Sequence, residues 1–297
     1  MEKENAFETK LAIVTGANGF TGRYVCMELI RKNMPFIVLL RPNTDPNWFK
    51  RYSIKYRFAD INNLKELVPA MKSCDTLINV ASIGFGAAPI LIKACHEVGI
   101  KRAIFVSTTA IFTKLNSSSK SIRLDAENKI TQSRLNFTII RPTMIFGAKN
   151  DRNIFRLINW INKYPIIPVF QKGEGLQQPV YVKDVAWAIV ESINNPNTKN
   201  AIFNLAGPKP LKFKKIIDIV SMKLGKRIFK ISINPNLAIL FIKFMNLLNI
   251  KIIVSEEQVK RVIEDKKFSN KKAKELINFK PKSFDYVINE QVENYFK

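Results

Sequence analysis

Cysteine is scarce in this 297-residue chain, with only Cys26, Cys74 and Cys95 and no C-x-x-C spacing among them. An odd, scattered set excludes a disulfide framework and a cysteine-based metal site. Histidine is scarcer: the single His96 falls in the helical pattern "LIKACHEVGI", where it reads as a helix-face residue rather than a catalyst. No metal is expected. Acids are few, 24 against 48 lysines and arginines, which leaves a net charge of +24. No uncharged apolar run approaches the ~20 residues that span a bilayer. The polar start "MEKENAFETK" fits neither a signal peptide nor a transit peptide. The expected address is a reducing cytoplasm.

The positive charge divides almost evenly between residues 1–150 and 151–297, and lysine far outnumbers arginine. An even spread with no reading motif is unlike a nucleic-acid footprint, so no specific nucleic-acid partner is expected. It is the mixture an AT-rich coding sequence produces. One local exception stands out. Residues 209–230 carry eight lysines and arginines against the single acid Asp218, and "NLAILFIKFMNLLNIKIIV" (236–254) follows directly. Two readings stay open for this segment. It is either a core helix of a second lobe, or a peripheral membrane contact through 209–254 at the inner face of an anionic bilayer.

What the chain does have is alternation. "LAIVTG" (11–16), "FIVLLR" (36–41), "IKYRFAD" (54–60), "DTLINVAS" (75–82), "RAIFVSTT" (102–109) and "FTIIRP" (137–142) are near-continuous apolar strands separated by helical patterns. That order predicts an α/β fold, a doubly wound parallel sheet of the Rossmann type. Beyond residue 150 the pattern loosens into helices near 151–163, 183–193, 212–223, 236–248, 256–264 and 284–294, with strands near 201–205 and 227–232. A cofactor domain over 1–165 and a smaller substrate lobe over 166–297 are expected, interleaved near 180–206.

"TGANGFTG" (15–22) puts Gly16, Gly19 and Gly22 between the first strand and a helix. This spacing allows a tight turn, close approach of a pyrophosphate, and close packing of helix on strand. Arg41 ends the second strand, where a cation pairs a 2′-phosphate and favours NADP over NAD; a plain surface role for it stays open. Asp60 ends the third, where it can accept from the adenine amino group, cap the helix of "INNLKEL", or do both.

At this point the sequence resembles the extended and atypical short-chain dehydrogenase/reductases, relatives of nucleotide-sugar epimerases and dehydratases. The pieces that carry the resemblance are "TGANGFTG", "FADI" (58–61), "LINVAS" (77–82), "FVSTTAIF" (105–112), "TIIRPTMIFG" (138–147) and "QPVYVKDVAWAI" (178–189). The tail 264–289 looks like the same group's C-terminal segment. The resemblance implies cofactor contacts at Gly16, Asn18, Gly19, Phe20, Thr21, Gly22, Arg41, Asp60, Ile61, Ala81, Arg123, Pro142 and Thr143. It implies substrate contacts at Ser82, Gln178 and Tyr181, although Tyr181 can equally pack beside Val180 and Val182. The implied substrate is a sugar nucleotide or a lipid-linked sugar.

The resemblance also exposes a gap. The family's catalytic Ser/Thr falls on Thr109, and its glutamate four residues past the lysine falls on Glu127. Counting back puts Arg123 at the lysine and Ser119 at the tyrosine. None of the seven tyrosines has a lysine four residues later. Arginine keeps a charge and can bond a ribose, but serine is a poor proton carrier near neutral pH. Lys120 stands beside Ser119, facing either pocket or solvent. An enzyme with substituted acid/base groups and an inactive NAD(P)-binding sensor or assembly factor are both compatible with these residues.

Overall fold

The computed structural model describes residues 9–115, 117–151, 153–247 and 256–296. Residues 248–254 of the apolar stretch lie outside them. Strands β1 (Ala12–Thr15), β2 (Phe36–Leu40), β3 (Tyr56–Phe58), β4 (Thr76–Asn79), β5 (Arg102–Val106) and β6 (Phe137–Pro142) match the expected runs. Between them lie α1 (Phe20–Arg31), α2 (Asn47–Arg51), α3 (Leu64–Met71), α4 (Ala88–Val98) and α5 (Ser118–Gln132). Then follow β7 (Ile145–Phe146), α6 (Ile154–Lys163), β8 (Ile166–Phe170), β9 (Leu176–Gln177), β10 (Val180–Tyr181), α7 (Val182–Asn194) and β11 (Ala201–Leu205). The chain continues through β12 (Leu211–Lys212), α8 (Phe213–Lys223), β13 (Phe229–Ile233), α9 (Pro235–Leu247), α10 (Glu256–Ile263), α11 (Lys271–Ile277) and α12 (Phe284–Phe296).

Seven strands form one sheet in the order β11-β6-β5-β4-β1-β2-β3, and every neighbouring pair is parallel. The fold is an α/β doubly wound one. Strand side chains alternate between two cores, as the period of two requires. Val14, Ile78, Ile104 and Ile140 join the helices α1 and α7 on one face. Ile13, Leu77, Phe105 and Ile139 join α3, α4 and α5 on the other. The strand order reverses between β1 and β4, which opens a crevice at their carboxyl ends.

The later part of the chain contributes to both halves. β11 adds to the large sheet, α7 packs beside α1, and Ala273 and Ile277 of α11 return to the first core. A third core unites α6, β8, α8 and α12 through Ile158, Val169, Val220 and Ile288. β8 pairs in parallel with β13 as a separate two-stranded sheet. Among the described residues no helix is long and apolar enough to cross a membrane.

Candidate functional site

The glycine turn is built for close approach. Gly16 has φ +69, and a Cβ there would stand 2.4 Å from the Ala81 amide nitrogen. The same atom on Gly22 would meet the Gly16 carbonyl at 2.2 Å, so α1 sits directly on the tip of β1. Gly19 differs: a Cβ would meet only the Gly16 oxygen, at 3.1 Å, and would otherwise project into the cavity that Gly19 lines. α1 begins with no side-chain cap and no acid in its first turn. Its free amides and positive dipole end therefore face the cavity at Phe20, Thr21 and Gly22, which suits a pyrophosphate. Thr15 donates to Asn79 at 2.6 Å, and Asn79 donates to the Ala81 carbonyl at 3.0 Å. These buried bonds hold the tips of β1 and β4 in register.

The cavity measures about 1390 Å³. It runs from the glycine turn past Val80, Thr109 and Thr143 to Arg156 and Leu157 of α6, and residues 260–268 close its far side. Those closing residues form a strap. Glu264 accepts from the Thr113 hydroxyl at 2.7 Å and from the Lys114 amide at 2.6 Å. Asp265 accepts from the Leu176 amide at 2.8 Å, and the Phe268 amide donates to Gln178 at 2.7 Å. The Phe268 ring lies 5.8 Å from that of Phe112, and the Arg141 guanidinium lies 5.2 Å from the Phe112 ring centre. Lys266 donates to the Arg261 carbonyl at 2.7 Å and to Gln177 at 3.2 Å. Burial pushes its pKa below the ordinary lysine range.

A family model for NAD(P)H-binding proteins matches residues 16–196. The chain belongs to the NAD(P)H-binding family. It is similar to an isoflavone reductase homolog of Nicotiana glauca, 24% identical over 76% of this chain and 78% of that one. It is also similar to the mitochondrial NADH dehydrogenase [ubiquinone] 1 alpha subcomplex subunit 9 of Mus musculus, 28% identical over 67% of this chain and 57% of that one. Among solved structures, a Thermotoga maritima UDP-glucose 4-epimerase with UDP-glucose superposes with a TM-score of 0.78. The match is 14% identical and covers 96% of this chain and 98% of that one. A Thermus thermophilus UDP-glucose 4-epimerase complexed with NAD gives 0.74, at 16% identity over 96% and 99%. At such identities the structural matches establish the shared fold.

Of the residues expected at the site, Gly16, Gly19, Phe20, Thr21, Gly22, Thr109 and Thr143 line this cavity. Thr109 is buried and donates to the Pro142 carbonyl at 3.4 Å. The others stand apart from that lining. Asn18 is exposed and accepts from Arg23 at 2.8 Å. Arg41 is exposed just beyond β2. Asp60 accepts from both nitrogens of Asn62 and does not cap the next helix; Asn63 caps it instead, accepting from the Lys65 amide at 3.1 Å. The cap lies three residues later because β3 ends at Phe58, leaving a turn at residues 60–63. Ile61 packs on the second core, and Ala81 backs Gly16. Ser82 accepts from the Gly84 amide at 3.2 Å. Gln178 is buried, tying Gly207 to Phe268. Tyr181 is 1% exposed, packs in the third core and donates to Glu290 at 3.0 Å, so the packing alternative describes it.

α5 carries the substituted pair. Ser119 Oγ lies 3.4 Å from Ser117 Oγ, and Arg123 donates back to the Ser119 carbonyl at 2.9 Å. The Arg123 guanidinium packs against Gly84, where a Cβ would come within 2.9 Å of its carbon. Burial and neighbouring Arg261 push its pKa down. Lys120 donates to the Thr113 carbonyl at 2.5 Å. One turn on, Glu127 is buried between Ser107 and a two-nitrogen grip from Arg141. The cavity adds residues that sequence reasoning did not select: Lys114, Arg156, Arg261, Glu264 and Lys266. Their lysines and arginines are submerged in a chain-wide excess of charge, so nothing in the sequence marked them.

Proposed function

We propose that this chain binds NADP(H) and uses it on a phosphate-bearing sugar, a sugar nucleotide or a lipid-linked sugar, with an altered set of proton carriers. The observation that carries the reading is the shape and lining of one continuous cavity. Its volume, about 1390 Å³, exceeds the ~300–1,000 Å³ of a usual single-ligand pocket, which leaves room for a second ligand beside a dinucleotide. The cofactor half has backbone amides and small residues. The far half has Lys114, Arg156, Arg261 and Lys267, cations suited to phosphate oxygens. When bound, the nicotinamide supplies hydride transfer. This chain's own residues bind and orient: the α1 amides hold the pyrophosphate, Thr109 faces the reacting end, and the strap excludes water. Arg41, together with Arg23 beside the glycine turn, supports a 2′-phosphate and hence NADP over NAD.

A second reading is a cofactor-binding protein without turnover. Ser119 and Arg123 favour it, since neither lines the cavity and both bond within their own helix or its entry. Fluorescence titration with NADPH and NADH, followed by turnover assays on a panel of sugar nucleotides, separates the two. NADPH should bind more tightly, and Arg41→Ala should erase the difference. Equal affinities would overturn the NADP assignment, and saturation without turnover would favour the second reading.

A further inference from the structure

Beside the cleft, the second lobe leaves a set of large apolar side chains exposed. In the β8–β13 pair, Phe229 stands opposite Ile166 and Ile231 opposite Pro168. All four are exposed, Phe229 at 69%, while Ile167 and Val169 of the alternate register are buried in the lobe core. The outer face of this small sheet is therefore an apolar strip that none of the described residues covers. α6 extends the strip. Trp160 donates its indole N–H to the Ile166 carbonyl at 2.8 Å, and its ring lies 4.9 Å from that of Tyr164. Both rings are more than two-fifths exposed. After β13, Asn234 alone intervenes before α9, whose Leu237 and Leu240 are each 64% exposed.

Cations surround the strip. Lys163 lies 5.3 Å from the Tyr164 ring centre, and Lys226 and Arg227 are exposed just before β13; Lys230, in the alternate register opposite Ile167, lies on the other face of that strand. The acid beside them, Asp218, is held by Lys230. We infer that this face is a docking surface for an anionic lipid bilayer, with the apolar strip seated at the headgroup level and the cations against the headgroups.

Three features choose that occupant. Apolar side chains ringed by cations, with a Trp–Tyr pair among them, match the layered polarity of a membrane interface. A second copy of this chain would bring together two bodies of net charge +24. It would also have to pair an edge strand that carries a lysine at its centre, a device that opposes strand-to-strand association. Nucleic acid would engage the cations but has no use for Phe229, Ile231 and Ile166. Arg156 stands one turn before Trp160 on α6 and lines the cavity, so the surface borders the cleft. The docking surface stands independently of what the cleft turns over.

The test is co-sedimentation of the full chain with phosphatidylcholine vesicles, with and without a third of phosphatidylglycerol, at low and high salt. Pelleting should require the anionic lipid and decline with salt. Trp160 fluorescence should shift to the blue on binding, and Trp160→Phe should remove that shift. Phe229→Glu combined with Ile231→Glu alters side chains that are already exposed, so the fold should persist by circular dichroism while partitioning falls at least about tenfold. Lys226→Glu with Arg227→Glu should weaken it about tenfold or more. Three outcomes overturn the inference: no pelleting with anionic vesicles, pelleting that the apolar pair of changes leaves unaltered, or self-association in place of lipid binding.

Discussion

Removing the Glu264 carboxylate should loosen the strap without unfolding the protein. The carboxylate joins two segments 150 residues apart, through the Thr113 hydroxyl and the Lys114 amide. Hydrogen bonds to a charged group contribute ~1.5–3 kcal/mol each, and the exposed Lys114 end is discounted because water replaces it readily. A local loss of about 2–3 kcal/mol in Glu264→Ala corresponds to a roughly 30- to 150-fold rise in opening of the 112–115 and 262–266 segments. The rest of the strap keeps its bonds from Leu176 to Asp265 and from Phe268 to Gln178, so the opening stays local. Hydrogen exchange read by mass spectrometry measures this directly. Peptides spanning 110–116 and 262–268 should exchange faster by that factor, while those from β1 and β4 stay unchanged. Glu264→Gln should lie between the two proteins, since its amide oxygen retains one uncharged acceptor. Unchanged protection at the Lys114 amide in Glu264→Ala would refute the strap as the element that holds the cavity closed.

Gly19→Val should abolish binding of either dinucleotide, measured by fluorescence titration, with at most a modest fall in melting temperature, because the one close contact of a Cβ there is the Gly16 oxygen at 3.1 Å. Arg102→Met should cost about 3–5 kcal/mol in urea unfolding, because several buried acceptors lose their donor at ~1–3 kcal/mol each, partly relieved by relaxation. The buried guanidinium satisfies the Ser192 and Ile193 carbonyls at the end of α7, together with Asn136, Thr138 and Thr198, and among the described residues no carboxylate pairs with it. An unchanged urea midpoint would contradict that role. Burial pushes the Cys26 and Cys95 thiols up to about 12 and Cys74 up to about 11, so none should react with a thiol reagent at mildly alkaline pH until the chain unfolds. Their raised values also set a pH dependence. Their contribution to stability is full below the ordinary thiol pKa of ~8.5. It is lost as pH climbs from there through the folded values, because the unfolded chain releases its protons first.

The large sheet was legible in the sequence because its inner strands β1, β4, β5 and β6, with β2, are buried on both faces almost throughout, which writes a near-unbroken apolar run. β8 was not. Pro165 and Pro168 read as breaks, yet Pro168 sits in an edge pair opposite Ile231 on the open face, where a strand tolerates proline. α11 was hidden for a different reason: "KKAKELI" has only Ala273 and Ile277 buried, too few to write a period. At the site, the glycine turn is local and was readable in eight residues. The strap was not, since Glu264 finds its partners 150 and 151 residues away. Tyr181 shows the limit of a motif. Its place in "QPVYVKDV" suggested a substrate contact, but the parallel pairing of Val180 with Ile145 and Tyr181 with Phe146 draws it into the third core.

The tyrosine that is missing from α5 matters less to the architecture than to the chemistry, and the helix itself shows why. Its first two turns carry Ser119 and Arg123, whose side chains bond only locally. The following turns carry Ala126, Glu127 and Ile130, all buried against the sheet. Glu127 is the anchor, joining Ser107 beyond β5 to Arg141 of β6. From Arg141 the contacts pass to the Phe112 ring and then to Phe268 of the strap. This relay reaches the lid of the cavity without touching Ser119. A change at the proton-carrying position therefore leaves the helix seated, the strap supported and the cofactor half of the cleft intact. On the proposed reading, the residues that would hold a dinucleotide are separate from the position that would move a proton, so a chain of this fold can retain the first while altering the second.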